Sequence, residues 1–291
     1  MSGGYSGSED RVLPWWEGEA EALWRERWSV PHLEIWSSLG STNDRVRELA
    51  QAGYPPFTTV LAEEQRRGRG RSGRSWHSPS GLGLWLSTLL PPNPGAAGEP
   101  QEWGPVLPLL VGLVVAEGVE RTAGVPKVGI EWPNDLVVEG RKVGGILCEG
   151  GRSPGRRWVV AGVGVNIRQR LADFPPELRQ RAGSLAESGA GAVSRGELAG
   201  AILRGLQGME PATGILSDRA REGLTRRDAL LGHGVQCSTG LKGRALGIES
   251  DGSLALEVEG AVVRVRAGSV RPLLDRGGEP WPSMAASKGR E

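Results

Sequence analysis

Residues 127–150 read KVGIEWPNDLVVEGRKVGGILCEG, and this stretch decides the fold. Apolar runs of strand length lie on either side of Glu139-Gly140, a dipeptide suited to a tight hairpin turn. Trp132-Pro133-Asn134-Asp135 ends one run with turn-forming polar groups, and Lys142 stands on the strand after the turn. Val143-Gly144-Gly145-Ile146 follows, and small residues beside a strand lysine leave room for a ligand. Lys142 is therefore either held against an anion, which would keep its charge on burial, or an ordinary exposed strand lysine.

Outward from there, WVVAGVGVNI (158–167) is another buried strand. Its Gly162, Gly164 and Asn166 fit a bare sheet face under a flat ligand, with Asn166 as polar orienter. They equally fit tight packing against the apolar helix expected from about Pro105 to Arg121. Upstream, HLEIWSSLG (32–40) reads as a strand and TNDRVRELAQAG (42–53) as a helix capped by Ser41 or Thr42 and ended by Gly53. TTVLAEEQ (58–65) and LGLWLSTLL (82–90) are apolar strands. The chain from Trp15 to Trp36 reads as helical, its tryptophans packing on the main domain or forming a ligand platform. A later helix opens with the capping box Ser194-x-x-Glu197. From about Asp228 to Leu274, short strands turn at Asp251-Gly252 and Glu259-Gly260, which predicts a small β-barrel.

Between two of the strands lies RRGRGRSGRSW (66–76). Gly68 to Gly73 formally fits G-x-G-x-x-G after a strand, but a dinucleotide fingerprint must then open a helix. Here Pro79, further glycines and a strand follow, so that reading is rejected, and no G-x-x-x-x-G-K-[ST] occurs. What remains is an arginine-rich glycine loop. Its guanidinium groups offer forked donors to phosphate or carboxylate, and its glycines allow close backbone approach. A solvated charge run or a nucleic-acid patch is the alternative. Trp76 adds an apolar plane for a ring. His32, His77 and His233 lack metal-ligand spacing, no nucleophile triad is present, and Cys148 reads as core.

Composition narrows the classes. The chain has 291 residues, 38% of them hydrophobic and 24% charged, with 35 Lys+Arg against 34 Asp+Glu for a net charge of +1. That suits a folded protein with no bulk attraction to nucleic acid or anionic membrane. Up to Trp36 the balance is seven acids to three arginines, the wrong sign for a DNA-binding module. Two cysteines make no disulfide framework. No apolar stretch approaches the ~20 residues of a membrane span, and the start MSGGYSGSED lacks a secretory pattern. A cytoplasmic, membrane-free protein is expected.

Taken together, Ser41-Thr42-Asn43, Gln65 with GRGRSGRSW, WPNDLVVEGRKVGGILCE, AGVGVNI, FPPELRQRAGSLAE and GRALGIESDGSLALEVEGAVVRVRAGSVR resemble the bacterial biotin protein ligases in order and spacing, from about Glu34 to Leu274. The resemblance implies a monofunctional form: residues 1–33 as tail and Trp-rich helix, 34–224 as an α/β catalytic domain with a mixed sheet, 225–274 as an SH3-like β-barrel, and 275–291 as a disordered tail. It implies ATP-dependent activation of biotin as biotinyl-5′-AMP, then transfer to a lysine of a biotin carboxyl carrier protein domain. Mg²⁺ accompanies ATP, and no tightly bound prosthetic group is expected.

By the same resemblance, biotin contacts Ser41, Thr42, Asn43, Gln65, Arg69, Gly70, Arg71, Lys142 and Gly145. The nucleotide meets Arg74, Trp76, Asn134, Asp135 and Asn166, with Asp135 near Mg²⁺, while Lys142 and Arg71 are catalytic. Where the family usually carries a basic residue before Trp-Pro-Asn-Asp, this chain has Glu131, which should point away from phosphates or pair with an arginine. The winged-helix repressor domain of some relatives has no room, so no operator DNA binding is expected. Homodimers occur among relatives, but the sequence locates no edge for one. The rival readings are a lipoate or octanoate ligase, and a DNA-binding regulator built on the arginine loop.

Overall fold

The computed structural model describes residues 10–94, 100–101, 103–125, 127–153, 156–210 and 214–273. The expected tail at 275–291 and the first nine residues lie outside these. A seven-stranded sheet organises the chain. Its strands are β1 (Leu33–Trp36), β2 (Thr59–Ala62), β3 (Gly83–Leu90), β4 (Gly129–Glu131), β5 (Asp135–Val138), β6 (Arg141–Ser153) and β7 (Arg156–Asn166). They lie in the order β1-β2-β3-β7-β6-β5-β4. Only β1 and β2 run parallel, which makes the sheet mixed, as expected.

The helices are α1 (Glu21–Arg27), α2 (Thr42–Gln51), α3 (Leu107–Ala123), α4 (Arg195–Gln207) and α5 (Asp218–Arg227). Alternation along β7 sorts them onto two faces. Ala161, Val163 and Val165 join the large core that contains α3 and α4, whereas Val160 joins Val46, Leu49 and Ala50 of α2 in a smaller core. Gly162 and Gly164 share the Val160 face. They therefore lie opposite α3, so packing against the central helix is not their role.

The Trp15–Trp36 stretch departs from its helical reading. Trp15–Trp16 and Glu19–Ala20 form a short antiparallel hairpin, α1 is only seven residues long, and Leu33–Trp36 is a strand. Glu17 and Gly18, both at positive φ, make the turn that stops a helix from starting earlier. Trp16, Trp24 and Trp28 are buried in the main core, Trp24 and Trp28 stacked 5.2 Å apart. Gly196 and Gly200 of α4 lie directly under their rings. Core packing, rather than a ligand platform, is what these three residues provide. Of the expected capping box the N-cap half forms: Ser194 Oγ accepts from the Glu197 N–H at 3.2 Å.

The expected C-terminal β-barrel is not formed. β8 (Gly234–Cys237), β9 (Lys242–Ile248), β10 (Leu254–Val258), β11 (Ala261–Val265) and β12 (Val270–Pro272) make an open antiparallel sheet in the order β11-β10-β9-β8-β12. Closure would require the two edge strands to pair. β12 has only three residues, and β11 keeps its outer side in solvent, with Val262 63% exposed. The hairpins themselves fall where the sequence placed them, with Glu259 and Gly260 at positive φ. No helix among the described residues is long and apolar enough to cross a membrane.

Candidate active site

One cavity of about 510 Å³ opens on the sheet face shared with α2. Its floor consists of Gly145, Gly162 and Gly164, together with Ser87 on β3. A bulge between Lys142 and Gly144 shifts the register of β6 against β5. That extra residue lets Lys142 and Gly145, an odd number of positions apart, face the same side. Gly145 pairs with Asp135 in register, which puts the Asp135 carboxylate 2.7 Å from Lys142 Nζ.

The N-terminus of α2 forms one wall. Thr42 donates from both N and Oγ1 to Gln65 Oε1, each at 3.0 Å, and Gln65 Nε2 donates to Ser78 Oγ at 2.9 Å. Ser87 Oγ lies 2.7 Å from Thr42 Oγ1 and donates to Asn43 Oδ1 at 2.6 Å. Asn43 Nδ2 reaches Glu149 at 2.7 Å, and Glu149 also holds Arg69 at 2.9 Å. These buried groups satisfy one another, which fixes their rotamers before a ligand arrives. Ser41, 5% exposed, is the N-cap residue, though its side chain makes no cap bond.

The arginine loop folds back as a small hairpin: Gly70 N donates to Arg74 O at 2.7 Å and Trp76 N to Gly68 O at 2.8 Å. Gly68 is obligatory there, because a Cβ would fall 2.5 Å from the Trp76 carbonyl. Ser72 and Gly73 turn the tip at positive φ. Arg69, Arg71 and Arg74 line the cavity. Arg66 instead pairs with Asp10 and Ser38, and Arg67 lies against Gly40. The loop is thus split between a ligand-facing half and a half tied to its own chain.

Arg71 donates to Asn134 Oδ1 at 3.2 Å, and burial lowers its pKa from the usual arginine value. No carboxylate lies within ion-pair distance of it among the described residues. Arg74 reaches Ser269 Oγ at 3.0 Å, so the C-terminal sheet joins the rim. The Trp76 indole lies on Gly164 and Gly145, with Lys142 Nζ 5.2 Å from its ring centre. Trp76 Nε1 and Arg69 Nε are buried donors with no partner among the described residues. Such donors call for an acceptor.

Every site residue expected from the sequence borders this cavity: Ser41, Thr42, Asn43, Gln65, Arg69, Gly70, Arg71, Arg74, Trp76, Asn134, Asp135, Lys142, Gly145 and Asn166. Asn166 is already engaged, donating to Gly183 O at 2.9 Å and accepting from Gln169 at 3.2 Å, so it acts as wall as much as orienter. Asn134 Nδ2 likewise donates to Ile146 O at 2.8 Å. Glu131 does not point away. It borders the cavity and pairs with Arg181 at 2.8 Å, while burial, with Asp135 adding to it, raises its pKa.

Sequence reasoning missed the wall from Phe174 to Ala182, the rim from Gly268 to Arg271, and Ser87. Ser87 had a signal as a polar residue within an apolar strand, while the wall and rim lie in FPPELRQRAGSLAE and RAGSVR, which the resemblance covers without assigning site residues there. Cys148 packs partly buried against the main core, in line with its reading as a core residue, and desolvation there pushes its thiol up to about 12. No cluster of three or more metal-ligating side chains occurs among the described residues. Asp135 remains a suitable single donor for an ion that arrives on a nucleotide, the usual mode for Mg²⁺.

The profile of the biotin/lipoate A/B protein ligase family matches residues 37–166. The chain is 33% identical over 250 residues to the bifunctional ligase/repressor BirA of Bacillus spizizenii, covering 82% of this chain and 73% of that one. It is 31% identical over 246 residues to a biotin–[acetyl-CoA-carboxylase] ligase of Mycobacterium tuberculosis, covering 82% and 88%. Among solved structures, the biotin protein ligase from Aquifex aeolicus in complex with biotin and ATP aligns with a TM-score of 0.68 at 27% identity, over 83% of this chain and 99% of that chain.

Proposed function

The chain belongs to the biotin/lipoate A/B protein ligase family, and from that premise we propose that it is an ATP-dependent biotin–protein ligase working in two steps. A carboxylate oxygen of biotin attacks the α-phosphorus of ATP, forming biotinyl-5′-AMP and expelling pyrophosphate. The ε-amine of a carrier-domain lysine then attacks the acyl carbonyl, forming the amide and releasing AMP. The observation that carries this reading is the convergence of residues 41–43, Gln65, residues 69–72, residues 74–76, Asn134, Asp135, Lys142, Gly145 and Asn166 on one glycine-floored cavity with arginines and a lysine at its rim.

The first step forces two anions together. At ~4 Å they repel by about 1 kcal/mol in water and about 4 kcal/mol at an effective dielectric constant of ~20, so fixed cations must offset the approach. Lys142 takes that role between carboxylate and α-phosphate, exchanging its contact with Asp135 for the reactants. Ser41, Thr42, Asn43, Gln65, Arg69, Gly70 and Gly145 hold biotin. Arg74, Trp76, Asn134, Asp135 and Asn166 hold the nucleotide. Mg²⁺ would sit on Asp135 and the nucleotide's own oxygens, where it neutralises phosphate charge. The mixed anhydride is prone to hydrolysis, so Arg71 and its loop close over it and exclude water.

Residues 34–224 form the catalytic unit in this reading, with Gly268–Arg271 of the 225–274 segment completing its rim. The carrier domain of a carboxylase is the macromolecular substrate, and the setting is cytoplasmic. Incubation with biotin, ATP, Mg²⁺ and a carrier domain, followed by intact-mass measurement, tests the proposal. One added biotinyl group on the carrier is expected. Lipoyl transfer in preference to biotinyl transfer, or no transfer at all, would refute it.

A further inference from the structure

We propose that Arg181 binds the phosphates of the nucleotide and that Glu131 positions it, an inference that rests on the ligase reading above. The segment carrying Arg181 is not a free loop. Lys142 N donates to Arg181 O at 2.7 Å and Gly183 N donates back to Lys142 O at 2.9 Å, so the segment is laid along β6 beside the strand lysine. Gly183 permits that approach, since a Cβ there would lie 2.8 Å from Arg141 Cβ.

Glu131 is only 8% exposed, and one of its oxygens receives Arg181 Nη2 at 2.8 Å. Arg181 itself is 50% exposed on its side chain and borders the cavity. Its remaining N–H groups make no hydrogen bond among the described residues. A pair serving burial alone would be enclosed on both sides. This one is closed at the carboxylate and open at the guanidinium, the geometry of a forked donor waiting for a planar or tetrahedral anion.

The neighbouring cations strengthen the case. Arg69 is shared by Asp44 and Glu149, and Lys142 is compensated by Asp135, so Arg71 and Arg74 are the lining cations of the loop without a carboxylate partner among the described residues. A triphosphate spreads its charge over several groups, and Arg181 adds a further cation to those two. Arg181 also places a positive group between Glu131 and an entering phosphate, which removes the repulsion that a bare carboxylate would impose.

Biotin-dependent ATP–pyrophosphate exchange by the purified full chain provides the test. Removing Arg181 alone would strand a buried carboxylate, so the informative variant is the double R181A/E131Q, which leaves no orphaned charge. Its KM for ATP should rise about tenfold through loss of a charge-assisted contact, while its KM for biotin stays within about twofold. R181K should recover part of the lost affinity. E131Q alone should raise the KM for ATP, because the guanidinium loses its anchor. An unchanged KM for ATP in the double variant overturns the inference, as does a lowered KM in E131Q, which would make Glu131 a mere repeller of phosphate. A wild-type chain without exchange activity sinks the ligase reading and this inference with it, so the two failures are distinguishable.

Discussion

Lys142 Nζ and Asp135 Oδ1 lie 2.7 Å apart because a bulge after Lys142 turns the lysine onto the glycine-floored face where Asp135 begins its strand. Strict alternation would have sent either Lys142 or Gly145 to the opposite face, against α3. The ion pair holds the ammonium beside Asp135 on the face that lines the cavity.

Substituting Lys142→Met should therefore lower biotin-dependent pyrophosphate exchange by about 10²–10³-fold. Thermal stability should change little, since the lysine is partly exposed. Exchange at a near-normal rate would remove Lys142 from the chemistry.

Arg71 sits in the loop and contacts Asn134 rather than a carboxylate. Arg71→Ala should speed release of biotinyl-AMP by about tenfold or more, as expected for one lost charge-assisted contact. The melting temperature should hold. Retained intermediate together with a lowered melting temperature would show the side chain to be structural instead.

The glycine floor gives a steric prediction. A Cβ at Gly164 would fall 2.6 Å from Trp76 Nε1, so Gly164→Ala must displace the indole. Affinity for a non-hydrolysable biotinyl-AMP analogue, by calorimetry, should fall by about tenfold, the scale of a ~1–3 kcal/mol overpacking cost. Unaltered affinity would mean that Trp76 and this floor do not shape the ligand site.

Asp228 joins α5 to the C-terminal sheet and offers a pH signature. Burial pushes its carboxyl up to about 6 despite N–H donors from Leu230 and Leu231, and its Oδ2 has no hydrogen-bond partner among the described residues. An unfolded aspartate titrates at ~3.9, so the folded state binds the proton more tightly. Stability from this group is present below about pH 4 and is lost as pH rises through about 6. In urea unfolding, the stability of Asp228→Asn relative to wild type should increase by about 2–3 kcal/mol between pH ~4 and ~7. Parallel pH profiles would contradict the assignment.

The sequence made the catalytic half legible because its signals are local. Turn residues such as Glu139-Gly140, the capping residue Ser194, and the apolar runs of β2, β3 and β7 each dictate their own geometry. The residues expected at the site all border one cavity, and they were legible because they sit in four motifs that keep family spacing. Signals set by tertiary context were not. The tryptophans of 15–36 suggested a helix, yet Glu17 and Gly18 at positive φ make a hairpin there. The C-terminal hairpins were correct, but barrel closure depends on whether β11 meets β12, and no local residue encodes that. α5 went unread because its buried side, Ala220, Gly223 and Leu224, offers too little apolar periodicity. The role of Arg181 emerged only when folding brought it to Glu131, fifty positions away in sequence.

The central claim is that the vitamin carboxylate and the nucleotide α-phosphate meet beside Lys142 beneath the arginine loop. A crystal structure of the chain with a non-hydrolysable biotinyl-AMP analogue tests it most directly. The account predicts the analogue on the Gly145–Gly162–Gly164 floor, its acyl–phosphate junction in contact with Lys142 Nζ and Arg71 folded over it. An analogue bound elsewhere, with that loop open to solvent, would contradict it.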